Sequence, residues 1–129
     1  GVVRLRHRKL EPETAEITGG TNTGKAIGST QHGATLKFAN LNLADTKNVK
    51  INASSGGGAK GSQIEVRLDS PTGPVVATVD IAHTGDWGKF MENKAKLTPA
   101  TGRHDVYLVL TNPKKGGGLM NVDWVEFGQ

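Results

Sequence analysis

Short runs of alternating apolar and polar residues, separated by glycine and proline, are the feature that most constrains the fold of this chain. In residues 63–69 every second residue is Ile, Val or Leu and the others are polar, a pattern typical of a half-buried antiparallel strand. The Ser-Pro-Thr-Gly-Pro segment at 70–74 favours a turn, because proline fixes φ and glycine adopts conformations that other residues avoid. With the β-branched run at 75–81, these residues predict a β-hairpin.

Five further segments complete the predicted set of strands: residues 34–41, 48–53, 87–97, 103–110 and 119–127. Glycine supplies 18 of the 129 residues and proline 5, a frequency that disfavours long helices. Seven to nine short strands joined by tight turns predict an all-β fold, an antiparallel β-sandwich of the jelly-roll type. We expect residues 1–129 to form a single domain, excised from a larger protein because the chain starts with Gly-Val-Val in mid-pattern.

Composition and motif spacing exclude several classes of chemistry. The chain has no cysteine, which excludes disulfides, thiolate zinc sites and cysteine catalysis. The four histidines lack the spacing of a zinc-protease helix, and no G-x-S-x-G motif is present. A glycosidase needs two carboxylates that flank a cleft; the sequence alone does not show which of its 12 acidic residues meet in space, and a full glycosidase is not expected in 129 residues. We therefore expect no enzymatic activity.

Two other sequence features have an unremarkable interpretation. Residues 56–61 match G-x-G-x-x-G, but a strand pattern follows where a dinucleotide site needs a helix N-terminus, so we expect a loop there. No run approaches the ~18 apolar residues of a membrane span, and no membrane partner is expected.

The chain carries a modest excess of positive charge, 16 Lys and Arg against 12 Asp and Glu, which is concentrated near its start. Arg4, Arg6, Arg8 and Lys9 all fall within the first nine residues. One interpretation is a solvated basic segment or edge strand, and the other is an anion or nucleic-acid contact. The interleaved aromatic residues that stack on bases are missing from this segment, so nucleic acid is not the expected partner.

Five motifs occur in a fixed order along the chain. They are Leu-Glu-Pro-Glu at 10–13, Ile-Glu-Val-Arg-Leu-Asp-Ser-Pro-Thr-Gly at 64–73, Thr-Gly-Asp-Trp at 84–87, Thr-Gly-Arg-His-Asp-Val-Tyr-Leu-Val at 101–109 and Asn-Val-Asp-Trp-Val-Glu-Phe at 121–127. In this order they resemble carbohydrate-binding module family 6. The resemblance implies a β-jelly-roll module that is attached to a polysaccharide-active catalytic domain in the parent chain, with a sugar site among the loops at one end. It also implies a secreted or extracellular protein.

The resemblance implies sugar-binding roles for four residues. Trp87 matches the family's stacking tryptophan, and Asn121 matches the asparagine that hydrogen-bonds the sugar at the floor of the cleft. Aromatic faces suit this role because they stack on the C–H surfaces of sugar rings. The family's usual second aromatic is replaced, since Ser29 occupies its place, and the two-ring clamp is not evident. Gln31 and His32 are candidate polar contacts in the same segment.

The resemblance also implies a structural calcium site. Glu11 and Glu13 match the two glutamates of the family's opening motif, and Asp123 matches the aspartate of its closing motif. Calcium prefers six to eight oxygen ligands, and two glutamates spaced two apart on a strand face the same side. Pro12 departs from the family pattern by removing a backbone N–H but no ligand. The alternative is that Glu11 and Glu13 are simply solvated.

The leading prediction is a non-catalytic carbohydrate-binding module that targets an attached enzyme to a polysaccharide. Trp124 and Phe90 are expected in the hydrophobic core, whereas the resemblance implies that Trp87 stacks on the ligand. The missing second aromatic motivates an alternative, a β-sandwich interaction or spacer domain whose sugar site has degenerated. The basic N-terminal segment motivates a further alternative, an anion-binding module.

Overall fold

The computed structural model describes residues 8–10, 16–18, 21–22, 27–28, 32–56, 61–112 and 119–128, and all regular structure in them is β. None of these residues forms a helix with the length and hydrophobicity needed to cross a lipid bilayer. The strands are β1 (Arg8–Leu10), β2 (Glu16–Thr18), β3 (Thr21–Asn22), β4 (Ile27–Gly28), β5 (Ala34–Asn42), β6 (Asn48–Ser54), β7 (Gln63–Leu68), β8 (Val75–Asp80), β9 (Met91–Lys96), β10 (Arg103–Thr111) and β11 (Asn121–Gly128).

The strands form two sheets, and every strand pair in the described residues is antiparallel. The first sheet has the order β3-β4-β11-β6-β9, with β1 also paired to β11. The second has the order β2-β5-β10-β7-β8. Because consecutive strands of the chain often lie in different sheets, the connections cross between the layers at both ends of the sandwich.

The core lies between the two sheets and follows from the period-two pattern of the strands. Buried and half-buried residues alternate strictly along β7, which places Ile64, Val66 and Leu68 inward. Inward residues of both sheets belong to one buried cluster, for example Ile51 of β6 and Leu108 of β10. Burial of apolar surface between two half-apolar sheets is the main stabilising contribution in such a fold.

The antiparallel all-β sandwich predicted from the sequence is confirmed. Six of the seven predicted strands begin and end within about two residues of the observed ones. The exception is the segment 87–97, where the strand is confined to Met91–Lys96 and residues 87–90 belong to a loop. Residues 57–60 of the G-x-G-x-x-G segment lie outside the described residues.

The register defines two ends of the sandwich. At one end of the sandwich, three strands end (β6, β8 and β10) and four begin (β5, β7, β9 and β11). The pairs Asn121 with Ser54 and Leu110 with Ala34 show this arrangement. We call this the Trp87 end. The opposite end contains the start of β10 and is called the His104 end.

Candidate functional site

Trp87 lies in the loop that connects β8 to β9, and its side chain is 40% exposed. The local sequence explains how the loop turns. Gly85 has a φ of 75°, in the left-handed region that favours glycine, and the Oδ1 atom of Asp86 accepts a hydrogen bond of 2.8 Å from the Gly88 N–H. This side-chain-to-backbone bond two residues on is a common turn device of aspartate. The turn therefore directs Trp87 toward solvent.

The Trp87 loop is attached to the end of β6 by a short set of hydrogen bonds. The Ser54 hydroxyl donates to the Trp87 carbonyl at 2.8 Å. The Ser55 carbonyl accepts from the backbone N–H groups of Thr84 at 3.0 Å and Gly85 at 3.2 Å, and the Ser55 N–H donates to Thr84 Oγ1 at 3.2 Å. Both serines are fully buried. The loop backbone is thus fixed to a rigid strand, which is the arrangement expected of a preorganised binding surface.

Asn121 is brought to the same place through Ser54. It is the first residue of β11, and its register partner on β6 is Ser54, whose hydroxyl binds the Trp87 carbonyl. Asn121 is half-buried. Ser54 is therefore hydrogen-bonded to Trp87 and paired with Asn121 in the sheet. It links the residue that the resemblance assigned to stacking with the residue that it assigned to hydrogen bonding.

His32 lies at the same end, in the turn that leads into β5. The turn is completed by Gly33, whose φ is 85° and whose N–H donates to the Leu110 carbonyl at 2.7 Å. The Asn112 backbone N–H donates to His32 Nδ1 at 2.9 Å. Because a backbone N–H is always a donor, Nδ1 must be the acceptor and the neutral imidazole carries its proton on Nε2. His32 is exposed.

Asn112 is itself held by a buried contact. Its side chain is 2% exposed, and its Nδ2 donates to Ser62 Oγ at 3.0 Å. The Ser62 carbonyl in turn accepts from the Ile81 N–H at 3.0 Å, at the beginning of the Trp87 loop. His32 and the Trp87 loop are therefore connected through one chain of buried polar groups.

Two exposed apolar residues follow Trp87 closely in the chain, and their exposure was not predicted from the sequence. Four large apolar side chains among the described residues are exposed, and three of them, Trp87, Phe90 and Met91, fall within five consecutive residues. Phe90 is 36% exposed and Met91 46% exposed. One feature of the sequence does point to this exposure. The segment Met-Glu-Asn-Lys-Ala-Lys in β9 alternates only weakly between apolar and polar residues, so it does not predict a buried strand next to Phe90.

The expected core positions of Phe90 and Trp124 are both wrong. Phe90 precedes an edge strand with one sheet neighbour, β6, so it has little to bury it. Trp124 is half-buried, and it follows a register shift between Val122 and Trp124. This irregularity leaves Trp124 on the face of Glu126, opposite to the buried Val125.

The predicted calcium ligands and Gln31 are only partly covered by the structure. Glu11, Glu13 and Gln31 lie outside the described residues. Asp123 is half-buried in β11, and its Oδ2 accepts a hydrogen bond of 3.2 Å from Asn52 Nδ2. Within the described ranges, no three His, Asp or Glu side chains form a group that could hold a metal.

Comparison with protein families gives one match that covers nearly the whole chain. The family model for carbohydrate binding module (family 6) matches residues 8–129. Among whole proteins, the chain is 32% identical over 123 residues to an arabinoxylan arabinofuranohydrolase of Bacillus subtilis, with 94% of this chain and 23% of that enzyme covered. It is 28% identical over 114 residues to endo-1,4-beta-xylanase A of Thermoclostridium stercorarium, with 83% and 20% covered. The chain thus spans about one fifth of the length of these enzymes.

Solved structures of similar fold cover the chain almost completely. A family 6 carbohydrate-binding module from Clostridium cellulolyticum, crystallised with xylose, superposes with a TM-score of 0.88 at 28% identity and covers 96% of this chain and 98% of its own. A β-1,3-glucan-binding module of the same family from Bacillus halodurans superposes with a TM-score of 0.83 at 26% identity, covering 96% and 97%.

Proposed function

The chain belongs to carbohydrate-binding module family 6, a non-catalytic module of xylanases and arabinofuranohydrolases, and from this premise we propose that it binds a polysaccharide and holds an attached catalytic domain at its substrate. The observation that carries the proposal is the exposed Trp87, fixed through Ser54 next to Asn121. An exposed aromatic residue whose backbone is held by a hydrogen bond from a buried serine is expected where a ligand covers its ring.

Each residue of the site has a definite part in the proposed contact. The Trp87 indole stacks on the C–H face of a sugar ring, and the Asn121 amide supplies both a donor and an acceptor for sugar hydroxyls. His32 presents its Nε2–H as a donor, because Asn112 occupies Nδ1. Gln31 is proposed as a further polar contact in the same segment. Because the loop is already ordered by Ser54 and Ser55, binding loses little conformational freedom.

We propose a xylan as the ligand, with a β-1,3-glucan as the alternative. The similar module of Clostridium cellulolyticum was crystallised with xylose, and two of the similar enzymes are a xylanase and an arabinoxylan arabinofuranohydrolase. The similar Bacillus halodurans module binds β-1,3-glucan. Tethering to such a polymer raises the effective concentration of an attached enzyme at its substrate. We propose that the protein acts outside the cell, where a polymer of this size would be met.

Isothermal titration calorimetry on the purified chain tests the site, with xylohexaose and laminarihexaose as probes. If the sugar covers about 80 Å² of the indole, then at about 25 cal/mol per Å² Trp87→Ala costs about 2 kcal/mol, a loss of affinity of about 30-fold. Asn121→Ala and His32→Ala are each expected to weaken binding by about tenfold or less, as for single hydrogen bonds. The matched control is Val75→Ala, which removes an equally exposed apolar side chain (43%) from the His104 end.

The results separate the proposal from its alternatives. Full affinity in Trp87→Ala would show that the sugar binds elsewhere. Absence of heat with both oligosaccharides, followed by absence of binding across a glycan array, would favour a spacer domain with a degenerate site. Retention on a heparin column that falls with salt would favour the anion-binding alternative.

We also propose that Glu11, Glu13 and Asp123 hold a structural calcium ion. The support is that Leu10, the residue before Glu11, pairs with Val125 on β11, two residues after Asp123. A divalent cation with hard oxygen ligands would link the first strand to the last, and a ligand that binds the folded state alone raises the melting temperature. EDTA is expected to lower the melting temperature of the wild type and to leave the triple variant Glu11→Gln, Glu13→Gln, Asp123→Asn unchanged. Equal melting curves of the wild type in EDTA and in calcium would contradict the site.

A further inference from the structure

We propose that Gly56 determines the position of Trp87, because the Trp87 loop rests directly on the space that a side chain at residue 56 would occupy. This inference rests on the proposed function for its effect on sugar affinity. It concerns a residue that contacts the loop and acts on the ligand through Trp87, so Gly56 is a positioning residue rather than a contact residue.

The contact is closer than any side chain permits. A Cβ atom built on Gly56 would lie 2.5 Å from the Trp87 backbone N, 2.8 Å from Trp87 Cγ and 2.9 Å from the Asp86 carbonyl carbon. Carbon and nitrogen atoms that are not bonded pack at about 3.5 Å or more. Even alanine at this position would therefore require the loop to move away from β6.

The nature of the contacted atoms makes this displacement unavoidable. Two of the three nearest atoms belong to the backbone of residues 86 and 87, so rotation of the indole about its side-chain torsions does not relieve the overlap. The backbone of Trp87 is also tied to Ser54 by the bond from its hydroxyl. A side chain at 56 would push the loop outward against that bond.

This displacement would change the distance between Trp87 and Asn121, the two residues proposed to contact the sugar. Ser54, the residue that holds the Trp87 carbonyl, is also the register partner of Asn121. A loop that moves away from β6 therefore moves Trp87 relative to Asn121, and a sugar that stacks on one can no longer hydrogen-bond the other in its original pose. The three consecutive residues 54–56 thus set the spacing between the two predicted sugar contacts.

Two other glycines provide matched controls. A Cβ on Gly73 would overlap the Leu68 carbonyl oxygen, but Gly73 lies in the turn at the His104 end, so Gly73→Ala introduces strain away from the site. Gly88 belongs to the Trp87 loop itself, and its Cβ would meet one atom, Asp86 Oδ1, at 3.4 Å. Gly88→Ala therefore changes the same loop without a backbone overlap.

The binding experiment compares Gly56→Ala, Gly88→Ala and Gly73→Ala by calorimetry with xylohexaose, alongside thermal unfolding of each. Gly56→Ala is expected to weaken binding by about tenfold, because part of the stacking contact is lost, whereas Gly88→Ala, which keeps the N–H that donates to Asp86, is expected to weaken binding less. Gly73→Ala is expected to lower the melting temperature and to leave affinity unchanged. In a Trp87→Ala background, Gly56→Ala should have no further effect on affinity, since the two changes act through one ring.

A second measurement does not require a ligand. In a Trp124→Phe background Trp87 is the remaining tryptophan, and its emission maximum and acrylamide quenching report its exposure. Gly56→Ala is expected to increase the quenching, and Gly88→Ala to increase it less. Ser54→Ala, which removes the bond to the Trp87 carbonyl without adding volume, is expected to shift quenching in the same direction by less. It replaces Gly56→Ala in both experiments if that variant does not fold.

The outcomes distinguish this inference from the proposed function. If the wild type binds no glycan but Gly56→Ala changes Trp87 quenching, the positioning role stands and the sugar-binding proposal fails. If the wild type binds xylohexaose and Gly56→Ala binds equally well with unchanged quenching, the positioning role is wrong. Equal losses of affinity in Gly56→Ala and Gly73→Ala would also overturn it, because affinity would then follow general stability.

Discussion

The two ends of the sandwich are closed by different kinds of hydrogen bond. At the Trp87 end several of the donors and acceptors belong to side chains that are buried. Six polar side chains are buried among the described residues, and four lie at this end: Ser54, Ser55, Ser62 and Asn112. They bind the Trp87 loop, the turn at His32 and the segment at Leu119, whose carbonyl accepts from Ser55 Oγ at 2.9 Å.

At the His104 end the corresponding groups are largely in contact with solvent. His104 Nδ1 lies 3.0 Å from an Asp69 carboxylate oxygen, and its Nε2 lies 2.8 Å from the Thr101 carbonyl. Asp105 Oδ1 accepts from the Asn40 N–H at 3.0 Å. Asn40 and Asp69 have φ values of 56° and 70°, a conformation that asparagine and aspartate tolerate in turns.

The difference indicates which end is built for recognition. A buried polar group costs free energy when its partner moves away, whereas an exposed one exchanges its partner for water. The Trp87 end therefore resists displacement of its loops, as a preorganised ligand surface requires. The His104 end closes its turns with contacts that can be remade in solvent, and it presents no comparable apolar surface among the described residues beyond Val75.

The largest expected effect comes from deleting one polar side chain at each end. Asn112→Ala removes the buried donor to Ser62 Oγ and should lower the free energy of unfolding by about 1–3 kcal/mol. Asp105→Ala removes an acceptor that is 40% exposed and should cost about 1 kcal/mol or less. Urea unfolding of both variants measures the difference. Equal costs would remove the distinction between the two ends.

The next effect concerns Phe90, the exposed aromatic residue that follows Trp87 in the same loop. If a polysaccharide continues from Trp87 over Phe90, Phe90→Ala should weaken binding of xylohexaose by about threefold to tenfold, as for one partial aromatic contact. Binding of xylobiose, which is too short to cover both rings, should change less. Calorimetry with xylo-oligosaccharides of two to six units measures this dependence on length. An equal loss of affinity at every oligosaccharide length would show that the ligand contacts the protein through a single sugar unit.

The fold followed from the sequence because its strands carry their periodicity locally. Residues 63–68 alternate without interruption, and the structure buries every second one. The same alternation places Tyr107, between the buried Val106 and Leu108, on the outer face, where it is half-buried with Lys37 Nζ 5.7 Å from its ring. The strands of two or three residues before Ala34 are too short to show a period, and of these only the basic segment at the start was considered as an edge strand.

The site was less accessible to prediction because it depends on contacts between distant residues. A motif identified Trp87 as the stacking residue, but no local pattern indicates that Ser54 holds its carbonyl from 33 residues away. Phe90 was assigned to the core on its hydrophobicity, and its exposure follows from the edge position of β9, which only sheet order reveals. The tautomer of His32 likewise depends on Asn112, 80 residues further along the chain.

The smallest expected effect is a pH dependence that belongs to the His104 end. The hydrogen bond to the Asp69 carboxylate, followed by the one to the Thr101 carbonyl, raises the pKa of His104 above its ordinary value of 6.5. Folding therefore favours the protonated imidazole. The stabilisation is fully present below the unfolded-state pKa of about 6.5 and is lost as the pH rises through the higher folded-state pKa. Because Asp69 is 63% exposed, solvent screening keeps the effect at about 1 kcal/mol or less.

The variant His104→Gln measures this contribution to stability and tests whether the protonation of His104 affects sugar binding at the Trp87 end. Melting temperatures measured from pH 5 to pH 9 should give a difference between wild type and variant that is largest at pH 5 and shrinks toward pH 9. Affinity for xylohexaose should be the same in both proteins at each pH, because His104 and Trp87 lie at opposite ends of rigid sheets. A stability difference that grows with pH would contradict the protonated ring. A pH-dependent difference in affinity between the two would show that the ends are coupled through the sheets and not independent.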